Sequence, residues 1–295
     1  MNMPCLLNPK ETVALIATSG PCDSKRLQHA VKQIEKLDLN PVVFESCRKK
    51  YGYLSGTDHT RLSDLHEAFL SRDVRGIFVL RGGYGAGRLL PHIDYEMIKQ
   101  NPKIFVGFSD VTALHIVLNQ FCNLVTFHGP MPGVDTDYIS WNWLKSMIMS
   151  AHTPVSIILN PKDLPAVTVL PGITKGVLTG GNLSLLTASL GTPYEVSTKG
   201  RILFIEEINE DPYKIDRMFL QLKLAGKFRD AAGFILGSFA PNDMDSLSVA
   251  IKELILPEGK PTLAGLACGH TTPNLTLPLG REVILNALKG TIELS

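Results

Sequence analysis

The feature that most constrains this chain is an alternation, through its first half, of short β-branched apolar runs with longer amphipathic runs of helical period. That order of elements fits a parallel sheet wrapped by helices. The strand-like runs are residues 13–17, 41–44, 76–80, 104–106 and 124–127. Between the first two, Leu27, Ala30, Val31, Ile34 and Leu37 form one apolar stripe behind a Ser24 cap, and Leu62, Leu65 and Phe69 do the same after Asp58. The strands end in small or polar clusters, Thr18-Ser19-Gly20, Arg81-Gly82-Gly83 and Gly107-Phe108-Ser109-Asp110. Carboxyl ends of parallel strands are where α/β sheets place ligands, so the chemistry is expected on these loops.

After Trp141 and Trp143 the pattern weakens, and residues 151–171 are Pro-interrupted without helical periodicity. This stretch is expected to be the crossover between an N-terminal domain, residues 1–150, and a C-terminal domain, residues 172–295. The second half restarts with an apolar run at 176–178, a helix from Leu183 and a strand at 202–205. A helix on which Ile215, Met218, Phe219 and Leu222 share a face comes next, then a strand at 233–237, a helix near 246–255 and strand-like segments around Leu277 and 283–285. A length of 295 residues with 44% hydrophobic composition also suits two modest domains, because single cores stop growing near this size.

The 29 Lys and Arg nearly cancel the 28 Asp and Glu, without a run of like charge to follow a phosphate backbone or an anionic membrane. Neither nucleic acid nor a membrane is therefore expected as a partner. No basic segment precedes the short apolar stretch near the N-terminus, and no run is long enough to span a bilayer, which points to the cytoplasm. Five scattered cysteines without CxxC spacing argue against a disulfide framework and a zinc site, and no metal or other cofactor is expected.

The sharpest local signal is Gly107-Phe108-Ser109-Asp110-Val111-Thr112, a serine in a tight turn between an apolar strand and a helix. In a nucleophile elbow such a turn lifts the hydroxyl clear of the backbone, and the first helix amides face a developing oxyanion. Val111 replaces the second glycine of G-x-S-x-G, and taken alone Ser109 fits a helix N-cap better than a nucleophile, since Ser and Asp are the preferred caps. A serine nucleophile needs a base. His29 and His66 fall in helical segments, His59 and His152 in polar loops, and His115 follows Ser109 within its helix, pointing away from the hydroxyl. His128, at a strand end, and His270, entering a turn after a short apolar segment, rank equally on spacing. A carboxylate partner is offered by Glu206 and Glu207 at the end of a strand, where alternation admits at most one to a site. Either also suits a solvated loop or a helix cap.

Residues 81–88, Arg-Gly-Gly-Tyr-Gly-Ala-Gly-Arg, match neither G-x-G-x-x-G nor the Walker pattern. Bare backbone at Gly82 or Gly83 instead suits close approach to a reacting carbonyl, one of these amides joining that of Asp110 in an oxyanion hole. Arg81 or Arg88 suits a substrate carboxylate, and a structural ion pair suits each equally well.

Taken together, Arg-Gly-Gly-Tyr-Gly at 81–85, Gly-Phe-Ser-Asp at 107–110 and Thr-Phe-His-Gly-Pro-Met at 126–131 resemble the LD-carboxypeptidases, or muramoyltetrapeptide carboxypeptidases. Leu-Thr-Gly-Gly-Asn-Leu from 178, Phe-Ile-Glu-Glu-Ile-Asn-Glu from 204, Ile-Asp-Arg-Met from 215 and Gly-His at 269–270 extend the resemblance, in order, over nearly the whole chain. It implies a metal-independent serine peptidase with an N-terminal α/β domain carrying the elbow and a smaller β-rich C-terminal domain. By the same resemblance the triad falls on Ser109, Glu206 and His270, which breaks the tie between His270 and His128. Family members typically work as homodimers and release D-alanine from murein tetrapeptides during cytoplasmic cell-wall recycling.

Two other readings compete. A related branch hydrolyses peptide-nucleotide antibiotics such as microcin C, and the murein reading is favoured because Ile208-Asn209-Glu210 runs almost directly into Pro212, leaving little room for an added specificity loop. A non-catalytic module holding a small anion on its glycine-rich loops would need neither Glu206 nor His270.

Overall fold

A computed structural model describes residues 1–149, 166–242 and 245–294. The chain forms two compact units, Met1–Thr153 with Thr276–Pro278, and Pro154–Leu275 with Leu279–Ser295.

The first unit alternates β1 (Thr12–Ile16), α1 (Ser24–Lys36), β2 (Asn40–Val43), α2 (Asp58–Leu70), β3 (Val74–Val79), α3 (Tyr95–Gln100), β4 (Ile104–Gly107), α4 (Thr112–Cys122), β5 (Thr126–His128) and α5 (Tyr138–Ile148). Strands β1 to β5 pair in parallel in the order β5-β4-β3-β1-β2. Nearly every side chain of β1, β3 and β4 is buried, which is why these runs read as continuously apolar. The α1 cap is Asp23, one residue before the expected Ser24, with its carboxylate accepting from the Arg26 amide at 2.7 Å. His59 lies inside α2, capped by Thr57, and not in a loop.

The second unit holds β6 (Val167–Leu170), β7 (Ile173–Asn182), α6 (Leu183–Ala188), β8 (Arg201–Glu206), α7 (Pro212–Leu224), α8 (Lys227–Asp230), β9 (Gly233–Leu236), α9 (Ser248–Ala250) and β10 (Thr262–Ala264). The remaining strands are β11 (Leu277–Leu279), β12 (Glu282–Asn286) and β13 (Thr291–Leu294). The second sheet runs β13-β12-β7-β8-β9-β10-β6, parallel from β7 to β10 and antiparallel at both flanks. Most of the expected crossover at 151–171, with His152, lies outside the described residues; of its described part, Val167–Leu170 forms a strand pairing with β10. The short α9 continues through a wider helical turn at Ile251–Ile255. β11 adds to the first sheet beside β5. There Gly129 leaves room for Thr276, whose hydroxyl would lie 2.5 Å from any Cβ at position 129, and the Trp143 indole donates to the Thr276 carbonyl at 3.3 Å.

Candidate active site

In the first unit, three strand-end turns meet around Ser109. Phe108 is extended, and Ser109 then turns into the left-handed region at φ +65°, where few residues other than glycine settle. The short turn Ser109–Val111 leads directly into α4. Gly82 abuts this elbow so closely that a Cβ on it would lie 2.9 Å from both Cβ and Oγ of Ser109. Gly83, at φ +124°, packs against Gly20, whose amide donates to the Gly82 carbonyl at 3.2 Å. With that carbonyl turned to Gly20, the trans peptide directs the Gly83 N–H the opposite way.

His115, in α4, lies fully buried. Its Nε2–H donates to the Gly107 carbonyl at 2.8 Å, and its Nδ1 accepts from the Thr126 hydroxyl at 2.9 Å. The Thr126 oxygen in turn accepts from Asn119 Nδ2 at 3.2 Å. Burial holds the His115 pKa down to about 4, so the ring is neutral. His128 is also buried, its ring edge-on to Phe108 with centroids 5.9 Å apart. Arg88 forms an ion pair with Asp58 at 2.7 Å, whereas Arg81 donates to the Pro21 carbonyl at 2.9 Å and rests against Gly20.

The second unit joins Glu206 to His270. Glu206 ends β8 with no solvent exposure, and its Oε2 accepts from His270 Nδ1–H at 2.7 Å and from the His270 amide at 3.2 Å. That tautomer leaves Nε2 able to accept a proton. The neighbouring side chain points elsewhere, as strand alternation requires: Glu207 accepts from Asn182 Nδ2 at 2.9 Å and from the Ser184 amide and hydroxyl at 2.8 and 2.7 Å. Gly269, at φ +100°, lets the backbone pass Glu206, because a Cβ there would sit 2.5 Å from Oε2. Among the described residues, no group of three or more His, Cys, Asp or Glu is arranged to hold a metal.

Residues 13–129 match the LD-carboxypeptidase N-terminal domain, and residues 175–285 match the LD-carboxypeptidase C-terminal domain. The chain belongs to the LD-carboxypeptidase family. A relative named probable murein peptide carboxypeptidase, from Bacillus subtilis strain 168, is 39% identical over 98% of this chain and 92% of its own length. Among solved structures, an MccF-like protein from Bacillus anthracis str. Ames superposes with a TM-score of 0.91 at 25% identity, covering 100% of this chain and 99% of the other. The muramoyltetrapeptide carboxypeptidase from Oxalobacter formigenes superposes at 0.82 with 30% identity, over 96% and 97% of the two chains. The protein is thus a peptidase of the LD-carboxypeptidase family with that family's α/β fold.

Two residues at the elbow escaped the sequence reading as functional candidates, Ser19 and Arg61. Arg61 is fully buried, donating to the carbonyls of Thr18 and Gly85 and to Asp58. Its only sequence signal was an acid three residues earlier on a helix, a spacing equally common on exposed faces. Ser19 was legible only as part of a polar strand end.

Proposed function

We propose that this protein is a metal-independent serine LD-carboxypeptidase that releases the terminal D-alanine of murein tetrapeptide in the cytoplasm, acting as a homodimer in cell-wall recycling. The observation that carries the reading is the 2.7 Å bond between Glu206 and His270 Nδ1, which orients an imidazole as a base and stabilises its charged form. The left-handed Ser109 against Gly82 supports the matching nucleophile.

In this mechanism His270 Nε2 takes the Ser109 proton while Oγ attacks the carbonyl that precedes D-alanine. The oxyanion is held by the Asp110 amide and by a glycine amide of the 82–83 pair; the commitment of the Gly82 carbonyl to Gly20 favours Gly83. His270 then protonates the leaving amine, and water, deprotonated by the same ring, releases the tripeptide acid from Ser109. Arg81 is our choice for the substrate's terminal carboxylate, since Arg88 is committed to Asp58.

The MccF-like superposition supports a second reading, a peptidase acting on peptide-nucleotide substrates. The short link from Glu207 to α7, with Ile208-Asn209-Glu210-Asp211 before Pro212, favours murein peptide. Mass spectrometry of purified protein incubated separately with murein tetrapeptide and an aminoacyl sulfamoyl nucleotide, with and without EDTA, tests this. D-alanine release from tetrapeptide, unchanged by EDTA, is expected. Cleavage of the nucleotide conjugate alone would transfer the assignment to the second reading, and loss of release with EDTA would remove the metal-independent mechanism.

A further inference from the structure

The Asp110 side chain does something its backbone role does not require. It directly follows the elbow serine, where an acid would ordinarily cap the helix beginning there, yet α4 has no side-chain cap. The carboxylate is instead 1% exposed, and its Oδ2 accepts from the Ser19 hydroxyl at 2.6 Å and from the Ala86 amide at 2.8 Å. Ser19 follows β1, Ala86 closes the glycine loop after β3, and Asp110 follows β4, three neighbouring strands of one sheet. One carboxylate oxygen therefore ties together the three turns from which the site is built. The Gly20 amide to Gly82 carbonyl bond and the buried Arg61, spanning Thr18 and Gly85, also brace two of these turns, those after β1 and β3.

We propose that the Asp110 carboxylate is a positioning group that sets the separation of the two oxyanion donors, its own amide and that of the Gly82–Gly83 loop, before substrate arrives. The proposal rests on Ser109 being the nucleophile. An oxyanion hole works only if its donors are fixed where charge develops, and displacement of about 1 Å can cost roughly 100-fold in rate. Burial raises the Asp110 pKa from its ordinary value against the hydrogen bonds from Ser19 and Ala86, so the ionised carboxylate is held at a cost. A costly buried charge of this kind fits a site held for function at the expense of stability.

The test is steady-state D-alanine release by wild type, Ser19→Ala, Asp110→Ala, the double variant, Asp110→Asn and Ser109→Ala. Expected for Asp110→Ala is a fall in kcat of about 100-fold with KM within about twofold, because the donors act in the transition state. Ser19→Ala should lose less, and the double variant no more than Asp110→Ala, since both cut one link. Asp110→Asn keeps an acceptor oxygen, so it should recover at least about a tenth of wild-type kcat with an unchanged or higher melting temperature. A purely structural role would lower the melting temperature and leave kcat of the folded fraction intact. That result, an effect confined to KM, or independent losses for Ser19 and Asp110 would overturn the proposal. If Ser109→Ala retained turnover, the nucleophile assignment would fall and this inference with it; loss in Ser109→Ala with unaltered kcat in Asp110→Ala would remove the inference alone.

Discussion

Gly269 shows how closely single residues are held to the proposed Glu206–His270 pair. It combines a left-handed φ with a backbone that passes within van der Waals reach of the Glu206 carboxylate, so any side chain there strains the chain and displaces the acid. Gly269→Ala should therefore lower kcat by about 10-fold or more while leaving KM nearly unchanged, the signature of a disturbed acid–base pair and not of lost substrate contacts. Arg61 is held by stability instead. Replacing it with Met would preserve length but leave the buried Thr18 and Gly85 carbonyls without their donor and remove the charge paired with Asp58, at a cost of about 3 kcal/mol in urea unfolding. An unchanged midpoint would show those carbonyls finding other donors. The contrast between Arg61 and Glu206 explains what was legible residue by residue. Strand alternation left one of Glu206 and Glu207 for a site, while an arginine inside an amphipathic helix carries no local mark of burial. Spacing left His128 and His270 equal, because it does not report that Glu206 bonds His270.

Helix α4 and strand β5 are coupled to the elbow through a chain of hydrogen bonds running from Asn119 through Thr126 and His115 to the Gly107 carbonyl, which accepts the last of them. It functions only with a neutral ring, since Nδ1 accepts. The folded pKa of about 4 lies below the unfolded value of about 6.5, so between them the unfolded state binds more protons and stability falls as pH falls. The contribution is complete above about pH 6.5 and lost toward pH 4, on the order of 3 kcal/mol. Urea unfolding between pH 7.5 and 4.5 should show that decline, and a His115→Gln variant should show a shallower one; equal slopes would mean the ring does not stay neutral in the fold. Elements of this kind were legible where burial is symmetric, as in β1, β3 and β4 with their unbroken apolar runs. β6 was not, because Val167–Leu170 is largely exposed and owes its strand form to pairing with β10, nearly a hundred residues later. The Asp23 cap was displaced by one residue because Asp and Ser compete at adjacent positions and only geometry selects between them.

At the scale of the whole molecule, the elbow lies in one compact unit and the Glu206–His270 pair in the other. The units are also interlaced in sequence, since Thr276–Pro278 fold with the first although they follow most of the second. No local pattern announces such a return; Leu277 was legible as strand-like, its sheet was not. Thr276 seats against Gly129, so Gly129→Ala should disturb this return segment, lower the melting temperature by several degrees and increase proteolysis near 276; an unchanged melting temperature would mean the segment adds little to the first unit. Residues that operate as one catalytic unit are strongly non-additive, each loss disabling the rest. The most direct measurement of the central claim is therefore kcat for D-alanine release in Ser109→Ala, His270→Ala and the double variant. Each single substitution should lose about 10⁴-fold or more, and the double variant should be no slower than the worse single. Near-wild-type turnover in Ser109→Ala, or losses that multiply in the double variant, would contradict a serine nucleophile served by His270.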